Sequence, residues 1–306
     1  MTHLEKNTDN SPDTVCWGVI PAGGSGERFK DSVAQARLRH KNELDEDKLM
    51  CLLPHHTQKQ CDDDAHKQWS VLAQSVWALL TYVPCQRVMI AVHPNHLERY
   101  QAQLKLDLSQ DEYAKIDWTD GGRTRRESVY RALQAIHQIE NESLKTTQTT
   151  SPLSCSSSKM VWVHDGARPW LGASLVTRLR DAMGERREEH VSSEGSKVSG
   201  VLPALPMTDT VKMIDAEGMV SCTLERAKCV TVQTPQVFWW DALWLAYQQV
   251  PHELEATDDA QLVELWLDAQ QPDVDVLHRV QTVDGDVENR KVTTIADLIS
   301  DSVGSV

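Results

Sequence analysis

The 306-residue sequence has no apolar run near the roughly 20 residues that a helix needs to cross a bilayer. Basic residues are also scarce, because 31 Lys and Arg stand against 45 Asp and Glu, which gives a net charge of −14. This excess of negative charge argues against a nucleic acid or an anionic membrane as a partner. The seven cysteines are odd in number and scattered, with no Cys-x-x-Cys pair. We therefore expect a reduced, cytoplasmic protein without structural zinc.

A glycine-rich loop is present, but it matches neither standard glycine fingerprint. The apolar run 15–20 is followed by Pro-Ala-Gly-Gly-Ser-Gly-Glu-Arg at 21–28. The loop has no Gly-Lys-Ser/Thr of a Walker loop and no Gly-x-Gly-x-x-Gly of a dinucleotide fold. Glycines let backbone N–H groups approach a polyanion, and a following helix N-terminus and Arg28 add positive charge. The pattern predicts a site for a nucleoside triphosphate; the alternative is an ordinary tight turn between strand and helix.

Alternating strand and helix signals predict the fold class. Hydrophobic residues make up 40% of the chain and charged residues 25%, as in soluble globular proteins. Runs rich in β-branched residues lie at 15–20, 87–92, 160–163, 198–204 and 274–280. Helical periodicity is found at 68–82, 97–106, 126–139, 173–183, 239–250, 260–269 and 294–299. We expect a mostly parallel, Rossmann-like sheet with helices on both faces, and a ligand site at the carboxyl ends of its strands.

Low periodicity marks the segments that lie outside this pattern. Residues 1–14 are polar and acidic, unlike a signal or transit peptide, and are expected to be a disordered lead. A single domain then covers 15–300, with surface insertions near 31–65, 141–158 and 184–197. Histidines 55, 56 and 66 in the first insertion are candidate metal ligands, but solvated loop histidines are the simpler interpretation.

Three polar clusters each have a chemical and a structural interpretation. In His-Asp-Gly-Ala-Arg-Pro at 164–169, Asp165 follows a strand and could help to hold Mg²⁺, or it could simply bridge to Arg168. Asp-Gly-Gly-Arg-Thr-Arg-Arg-Glu-Ser at 120–128 suits a nucleotide-binding wall, or a helix start with Thr124 and Glu127 as a capping box. Thr257 precedes another helix and could be its N-cap.

The order of these motifs along the chain is more specific than any one of them. With Lys67-Gln-Trp69, Asp209-Thr-Val-Lys212, Arg226, Thr234-Pro-Gln236, Thr257-Asp258 and Lys291-Val-Thr293, the series resembles the 2-C-methyl-D-erythritol 4-phosphate cytidylyltransferase family of the non-mevalonate isoprenoid pathway. The resemblance runs from about residue 16 to 299, outside the insertions. It implies a nucleotidyltransferase sheet with a projecting β-arm near 206–232. Through this arm two copies of the chain would form a homodimer.

The resemblance also implies a role for individual residues. Backbone and side-chain groups that would contact CTP are Pro21, Ala22, Gly23, Gly24, Gly122, Ser128, Asp165 and Gly166. Cations that would stabilise charge in the reaction are Arg28, Lys67, Lys291 and, reaching from the arm into the neighbouring subunit's site, Arg226. Residues that would hold the acceptor together with Lys291 are Arg168, Thr210 and Thr257. The metal would be Mg²⁺, held by the triphosphate and by Asp165.

The chain departs from the family at the lysine, because the insertion separates Arg28 from Lys67 by much more than is usual in the family. Lys48 and Lys59 are its competitors within that insertion. The expected reaction is the transfer of a cytidylyl group from CTP to 2-C-methyl-D-erythritol 4-phosphate. The alternatives are the same reaction on another polyol phosphate such as ribitol 5-phosphate, a non-catalytic nucleotide-binding protein of this fold, and a nicotinamide oxidoreductase.

Overall fold

A computed structural model of the chain describes residues 16–24, 26–39, 45–54, 68–146, 159–184, 198–269 and 279–299. The predicted lead at 1–14 and much of the three predicted insertions lie outside these ranges. The strands are β1 Cys16–Ala22, β2 Leu52–Pro54, β3 Gln68–Ser70, β4 Arg87–Val92, β5 Ile116–Asp120, β6 Met160–Val163, β7 Val198–Pro206, β8 Lys212–Ile214, β9 Val220–Thr223, β10 Val230–Val232, β11 Gln236–Trp239 and β12 Arg279–Asp284. The helices are α1 Glu27–Arg39, α2 Val71–Tyr82, α3 Pro94–Asp107, α4 Gln110–Tyr113, α5 Arg125–Thr146, α6 Ala173–Met183, α7 Trp240–Gln249, α8 Asp259–Ala269 and α9 Ala296–Ile299.

One mixed sheet organises the fold. Its strand order is β10-β7-β11-β6-β1-β4-β5, and β12 also pairs with β7. The strands β6, β1, β4 and β5 run parallel, whereas β11 pairs antiparallel with both β6 and β7. Because β6, β1, β4 and β5 end at the same edge, the loops that follow them meet there.

Apolar side chains cover both faces of the sheet and separate its two helical layers. On one face, residues of β1 and β4 such as Ile20 and Ile90 pack in the cluster that contains α2 and α6. On the other face, Val19 and Met89 join α5, α7 and α8. Neighbouring residues of a strand point to opposite faces, so burial on both faces explains the nearly continuous apolar runs. The predicted α/β fold with a mostly parallel core and helices on both faces is confirmed.

Four of the described strands, β2, β3, β5 and β11, escaped the sequence analysis, and β12 was misplaced. β5 has the sequence Ile-Asp-Trp-Thr-Asp, in which polar residues interrupt the apolar run. β11, Gln-Val-Phe-Trp, ends directly before α7, so its last residue was included in the predicted helix. β12 begins at Arg279, near the end of the run predicted at 274–280, of which 274–278 lie outside the described residues.

The segment predicted as a surface insertion at 31–65 is in part a component of the fold. α1 extends to Arg39, and the segment 49–53 places Leu49, Met50, Cys51 and Leu53 in the hydrophobic core. β2 then pairs with β3 as an antiparallel hairpin, with Pro54 opposite Gln68. The charged residues around these core positions had concealed their helical and strand character, so the expectation of a surface loop was wrong for 31–39 and 49–53.

A two-stranded hairpin, β8 and β9, projects beyond the main sheet as the arm. Its apolar side chains are largely exposed, with Met213 50%, Ile214 62%, Met219 66% and Val220 60% accessible. Among the described helices, none has the length and apolar character that a bilayer-spanning segment requires.

Candidate active site

A cleft of about 550 Å³ opens where β1, β4, β5 and β6 end. Loops that follow these strands supply its walls, as the topology of a parallel sheet predicts. The residues from the sequence analysis that line it are Pro21, Ala22, Gly23, Gly24, Gly122, Ser128, Asp165, Gly166 and Lys291. A smaller recess of about 260 Å³ shares Gly24, Gly26 and Lys48 with the cleft and adds Arg28 and Thr293. These nine residues and Arg28 are therefore brought together.

The glycine-rich loop leads directly into a helix N-terminus. Gly26 has φ +64°, a left-handed conformation that side chains other than glycine rarely adopt. α1 starts at the next residue, and its first turn closes with bonds from the N–H groups of Phe29 and Lys30 to the Gly26 carbonyl, 2.9 and 3.0 Å long. A helix start beside backbone N–H groups and Arg28 provides the positive potential that phosphate groups need.

The wall formed by 121–128 caps a helix and also lines the cleft. The Glu127 N–H donates to the Thr124 hydroxyl at 3.1 Å, whereas the Glu127 carboxylate accepts from the N–H of Arg123 at 2.7 Å. Ser128 Oγ accepts from the Gly122 N–H at 3.0 Å. A Cβ at Gly122 would lie 2.3 Å from the Glu127 side chain, so only glycine fits there. Thr124 is thus the helix cap, as predicted. Glu127 accepts from the N–H of Arg123 rather than from that of Thr124, which a capping box would use.

Asp165, at the floor of the cleft, forms ion pairs with three positively charged side chains. Its Oδ2 lies 2.8 Å from Lys291 Nζ and 3.6 Å from Arg168 Nε, and its Oδ1 lies 3.5 Å from Arg125 Nε. Burial disfavours the ionised carboxylate, but the charges of Arg125, Lys291 and Arg168 outweigh it and hold the pKa of Asp165 well below its usual range. Asp165 is therefore ionised at neutral pH and holds Lys291 at the cleft.

His164, the residue before Asp165, has a structural role. Its Nε2 lies 3.0 Å from the Arg168 carbonyl and its Nδ1 lies 3.2 Å from the Thr234 hydroxyl. Burial lowers the pKa of His164 to about 4, despite the opposing effect of Asp165. A buried, neutral imidazole with both nitrogens occupied cannot serve as a proton carrier near pH 7.

This histidine makes the stability of the fold depend on pH. Its folded-state pKa lies below the unfolded value of 6.5, so the unfolded chain binds a proton as the pH falls through 6.5 and the folded chain does not. The free energy of unfolding should fall by about 3 kcal/mol between pH 6.5 and 4 from this group. Urea titrations should show a shallower pH dependence for His164→Gln than for the wild type. The exposed-site variant His252→Gln should keep the wild-type slope, and equal slopes in all three proteins would contradict the assignment.

Lys48, a competitor of Lys67 in the sequence analysis, lines both the cleft and the recess. Burial lowers the pKa of Lys48 below its ordinary value, and the nearby charges of Lys291 and Arg28 lower it further. The attraction of Asp165 and Asp47 opposes this change. Arg28, Lys48 and Lys291, from distant parts of the chain, are thus close enough for the other two to lower the pKa of Lys48. An anion bound between them would relieve their repulsion.

Contacts of the preceding residues fix Lys48 in place. Asp47 accepts a hydrogen bond from the Tyr100 hydroxyl on α3 at 2.7 Å, and Asp45 forms an ion pair with Arg99. Leu49, on the other side of Lys48, is buried in the core. A lysine held between an anchored aspartate and a core leucine has little freedom to leave the cleft.

Of the predicted site residues that the structure describes, four do not line the cleft of this chain. Lys67 lies outside the described residues, one position before β3. Arg168 is buried behind Asp165 and donates to the Asn289 carbonyl at 2.8 Å. Thr210 and Arg226 are exposed at the arm. Thr257 is exposed and its hydroxyl donates to Gln261, while Asp258 caps α8 by accepting from the Gln261 N–H, so the N-cap is Asp258 rather than Thr257.

Sequence reasoning missed several residues that line the cleft. These are Lys30, Glu46, Asp47, Leu49, His93, His96 and Tyr100, whereas Arg123 and Arg125 belong to the 120–128 cluster that was predicted as a nucleotide-binding wall. Arg125 lies in the predicted 120–128 cluster, so its type and position were visible although its role was not. The α3 residues carried no motif, since only the packing of 45–49 against this helix brings them to the cleft.

The donor atoms of the cleft fit a metal ion that arrives with the nucleotide. Among the described residues, no group of three or more His, Cys, Asp or Glu side chains could hold a metal. Asp165 contributes one ionised carboxylate on the lining. Mg²⁺ is commonly bound by one or two carboxylates together with substrate phosphates and waters, so the Asp165 carboxylate is compatible with Mg²⁺ carried by a triphosphate.

Comparison with known proteins identifies the family. A profile of the IspD family, described as 2-C-methyl-D-erythritol 4-phosphate cytidylyltransferase, matches residues 59–303. The chain belongs to this family. A Bacillus pumilus protein named 2-C-methyl-D-erythritol 4-phosphate cytidylyltransferase is 29% identical over 284 residues, which cover 92% of this chain and 93% of that protein.

Other relatives of the IspD family are longer. The bifunctional enzyme IspD/IspF of Oleidesulfovibrio alaskensis is 32% identical over 223 residues, covering 72% of this chain and 46% of that enzyme. The chain spans about a third to a half of the bifunctional relatives that it matches. The solved 4-diphosphocytidyl-2C-methyl-D-erythritol synthase of Anaerococcus prevotii has a TM-score of 0.59 at 21% identity and covers 94% of this chain and 96% of that one. That likeness supports the fold.

Proposed function

We propose that this chain transfers a cytidylyl group from CTP to 2-C-methyl-D-erythritol 4-phosphate, which yields 4-diphosphocytidyl-2-C-methyl-D-erythritol and pyrophosphate. The observation that carries this proposal is the group of Arg28, Lys48 and Lys291 beside the glycine-rich loop. The protein has a net charge of −14, so its overall field repels both substrates and local cations must attract them. Membership of the IspD family supports the choice of nucleotide and acceptor.

The chemistry requires positioning rather than a protein nucleophile. An oxygen of the acceptor's phosphate attacks the α-phosphorus of CTP, a new P–O bond forms, and the bond to the β-phosphate oxygen breaks. The two bonding electrons leave with pyrophosphate. A phosphate monoester is already anionic near pH 7, so no side chain has to remove a proton. The protein's task is to hold two mutually repelling anions in line and to neutralise the charge that develops.

The glycine-rich loop and the charged side chains of the cleft have different tasks in this reaction. Backbone N–H groups of the glycine-rich loop and the start of α1 bind the triphosphate. Arg28 and Lys48 neutralise charge on the α-phosphate and on the departing pyrophosphate. The Lys291 ammonium group, which lies 2.8 Å from Asp165, exchanges this partner for the acceptor's phosphate when the acceptor binds. Asp165, together with the phosphates, would hold Mg²⁺, which would supply further neutralisation of the triphosphate.

The site is completed by a second copy of the chain. The exposed apolar side chains of the arm suit contact with a partner subunit, and Arg226 is located on the same arm. Thr210 and Arg226 do not line this chain's cleft, so we propose that they serve the cleft of the partner in a cytoplasmic homodimer. Thr257 is also proposed to act on the acceptor. Arg168 acts through Asp165, since it is buried behind that carboxylate.

Shared sites make a specific prediction for mixed dimers. Arg28→Ala inactivates the cleft in which it lies, whereas Arg226→Ala inactivates the cleft of the neighbouring subunit. A dimer that combines one Arg28→Ala subunit with one Arg226→Ala subunit therefore has one cleft with both defects and one intact cleft. Purified mixed dimers should recover up to about half of the wild-type activity. Mixed dimers as inactive as both parent variants would contradict the shared-site proposal.

A pyrophosphate-release assay tests the proposed function itself. It crosses the four common nucleoside triphosphates with methylerythritol phosphate and ribitol 5-phosphate, with Mg²⁺ and with excess chelator. The proposal predicts release with CTP, methylerythritol phosphate and Mg²⁺ together. Preference for ribitol 5-phosphate would establish the alternative acceptor, and no release with any combination would contradict a catalytic role.

A further inference from the structure

Arg125, on the first turn of α5, connects two carboxylates behind the cleft. Its Nη1 lies 2.7 Å from Oδ2 of Asp259, and its Nε lies 3.5 Å from Oδ1 of Asp165. Asp259 is completely buried at the start of α8, and its Oδ1 accepts a hydrogen bond from the Tyr247 hydroxyl at 2.5 Å. The three elements α5, α7 and α8 thus converge on one guanidinium group that borders the cleft.

Arg125 remains charged because it is paired with two carboxylates. Burial lowers the pKa of Arg125, but the attraction of Asp259 and Asp165 outweighs it, so its pKa lies above the ordinary value and Arg125 remains charged. Asp259 provides the counter-charge deep in the protein, where no solvent reaches it. A buried charge without such a partner would be strongly unfavourable, and the planar guanidinium group can face both carboxylates at once.

The two oxygens of Asp165 therefore have different surroundings. Oδ2 is shared by Lys291 and Arg168, whereas Oδ1 faces Arg125. An incoming phosphate competes with Oδ2 for Lys291, and Asp165 would then lose its shortest ion pair and keep only the longer contact of Oδ2 with Arg168. The contact with Arg125 is on the other oxygen and is anchored by Asp259, so it persists when Lys291 moves to the phosphate.

We propose that Arg125 is a positioning residue and Asp259 its anchor, and that together they keep Asp165 aimed into the cleft while the substrates bind. The proposal rests on the proposed function, because it assigns to Asp165 a role in binding Mg²⁺ and CTP. It also links the start of α8, two residues after Thr257, to the floor of the nucleotide site.

Calorimetric titration of the full-length dimer with CTP and Mg²⁺ tests this proposal. Arg125→Lys keeps the charge but cannot face both carboxylates, and it should weaken binding of CTP with Mg²⁺ about tenfold or more. Arg126→Lys is the matched control, because Arg126 is the next residue and donates to the carbonyls of Val250, Pro251 and Leu254 without lining the cleft. The control should bind within about twofold of the wild type.

A double-mutant cycle separates positioning from general damage to the fold. If Arg125 acts through Asp165, Arg125→Lys should change binding less than twofold in an Asp165→Asn background. Asp259→Asn serves as a second variant in case Arg125→Lys does not fold, and it should show the same dependence on Asp165. Equal losses in both backgrounds, or an Arg125→Lys protein that binds like Arg126→Lys, would overturn the proposal. Absence of CTP binding by the wild type would instead overturn the proposed function.

Discussion

Replacing Lys48 with alanine should lower kcat by about a hundredfold or more, while the KM for CTP changes much less. The reason is that a cation aimed at charge that grows during the reaction contributes more to the transition state than to the bound substrate. Removal of one such donor typically raises the barrier by about 3 kcal/mol, which corresponds to this loss in rate. Steady-state kinetics with CTP and methylerythritol phosphate measure both constants.

Two comparisons make the Lys48 result specific. Lys115→Ala removes an exposed lysine that does not line the cleft, and it should retain wild-type kinetics. Lys67→Ala tests the assignment made from sequence, in which Lys67, directly before β3, is the lysine that stabilises charge in the reaction. If Lys67→Ala loses activity and Lys48→Ala does not, the role that we propose for Lys48 belongs to Lys67.

Asp165→Asn should impair both stability and activity. The substitution keeps the shape of the side chain but removes the negative charge that balances Lys291, Arg168 and Arg125. Breaking a buried ion pair by neutralising one partner typically destabilises a protein by about 3–5 kcal/mol. We also expect kcat/KM for CTP with Mg²⁺ to fall by about a hundredfold or more, because Lys291 loses its ion-pair partner and the carboxylate that we propose for Mg²⁺ is removed. Thermal unfolding and initial rates measure the two effects.

The loss of stability caused by Asp165→Asn should depend on pH. The pKa of Asp165 in the fold lies below its ordinary value of 3.8, so its ionised form stabilises the protein above about pH 4. That contribution decreases progressively as the pH falls below this value, and it is lost completely only below the lower pKa of the folded state. The melting temperatures of wild type and Asp165→Asn should therefore differ near pH 7 and approach each other towards pH 3. Asp181→Asn, at an exposed position of α6, is the control and should follow the wild type at every pH.

The sequence predicted the parallel core well because burial on both faces produces short, continuous apolar strands. Residues 87–92 and 160–163 were assigned with the bounds of β4 and β6. Edge and antiparallel strands were harder to predict. β5 mixes polar and apolar residues, and β11 is followed at once by a helix, so neither has a clear periodic signal of its own.

The site shows the same division between local and long-range information. The glycine-rich loop, Asp165 and Lys291 were found because each forms a local motif near the end of a strand or the C-terminus. Lys48 was found only as a competitor, because the pairing of β2 with β3 and the contact between Asp47 and Tyr100 join residues far apart in the sequence. The buried partner Asp259 could not be predicted, since nothing local shows that Arg125 faces it.

A crystal structure of the wild-type protein with CTP and Mg²⁺ tests the central claim most directly. We expect the triphosphate to lie along the glycine-rich loop, with Arg28 and Lys48 within hydrogen-bond distance of its phosphates and Asp165 beside the metal. Lys291 should lie on the open side of the α-phosphate, where an acceptor's phosphate can approach. A triphosphate bound elsewhere, or one that leaves Arg28, Lys48 and Lys291 without a phosphate within reach, would contradict the account.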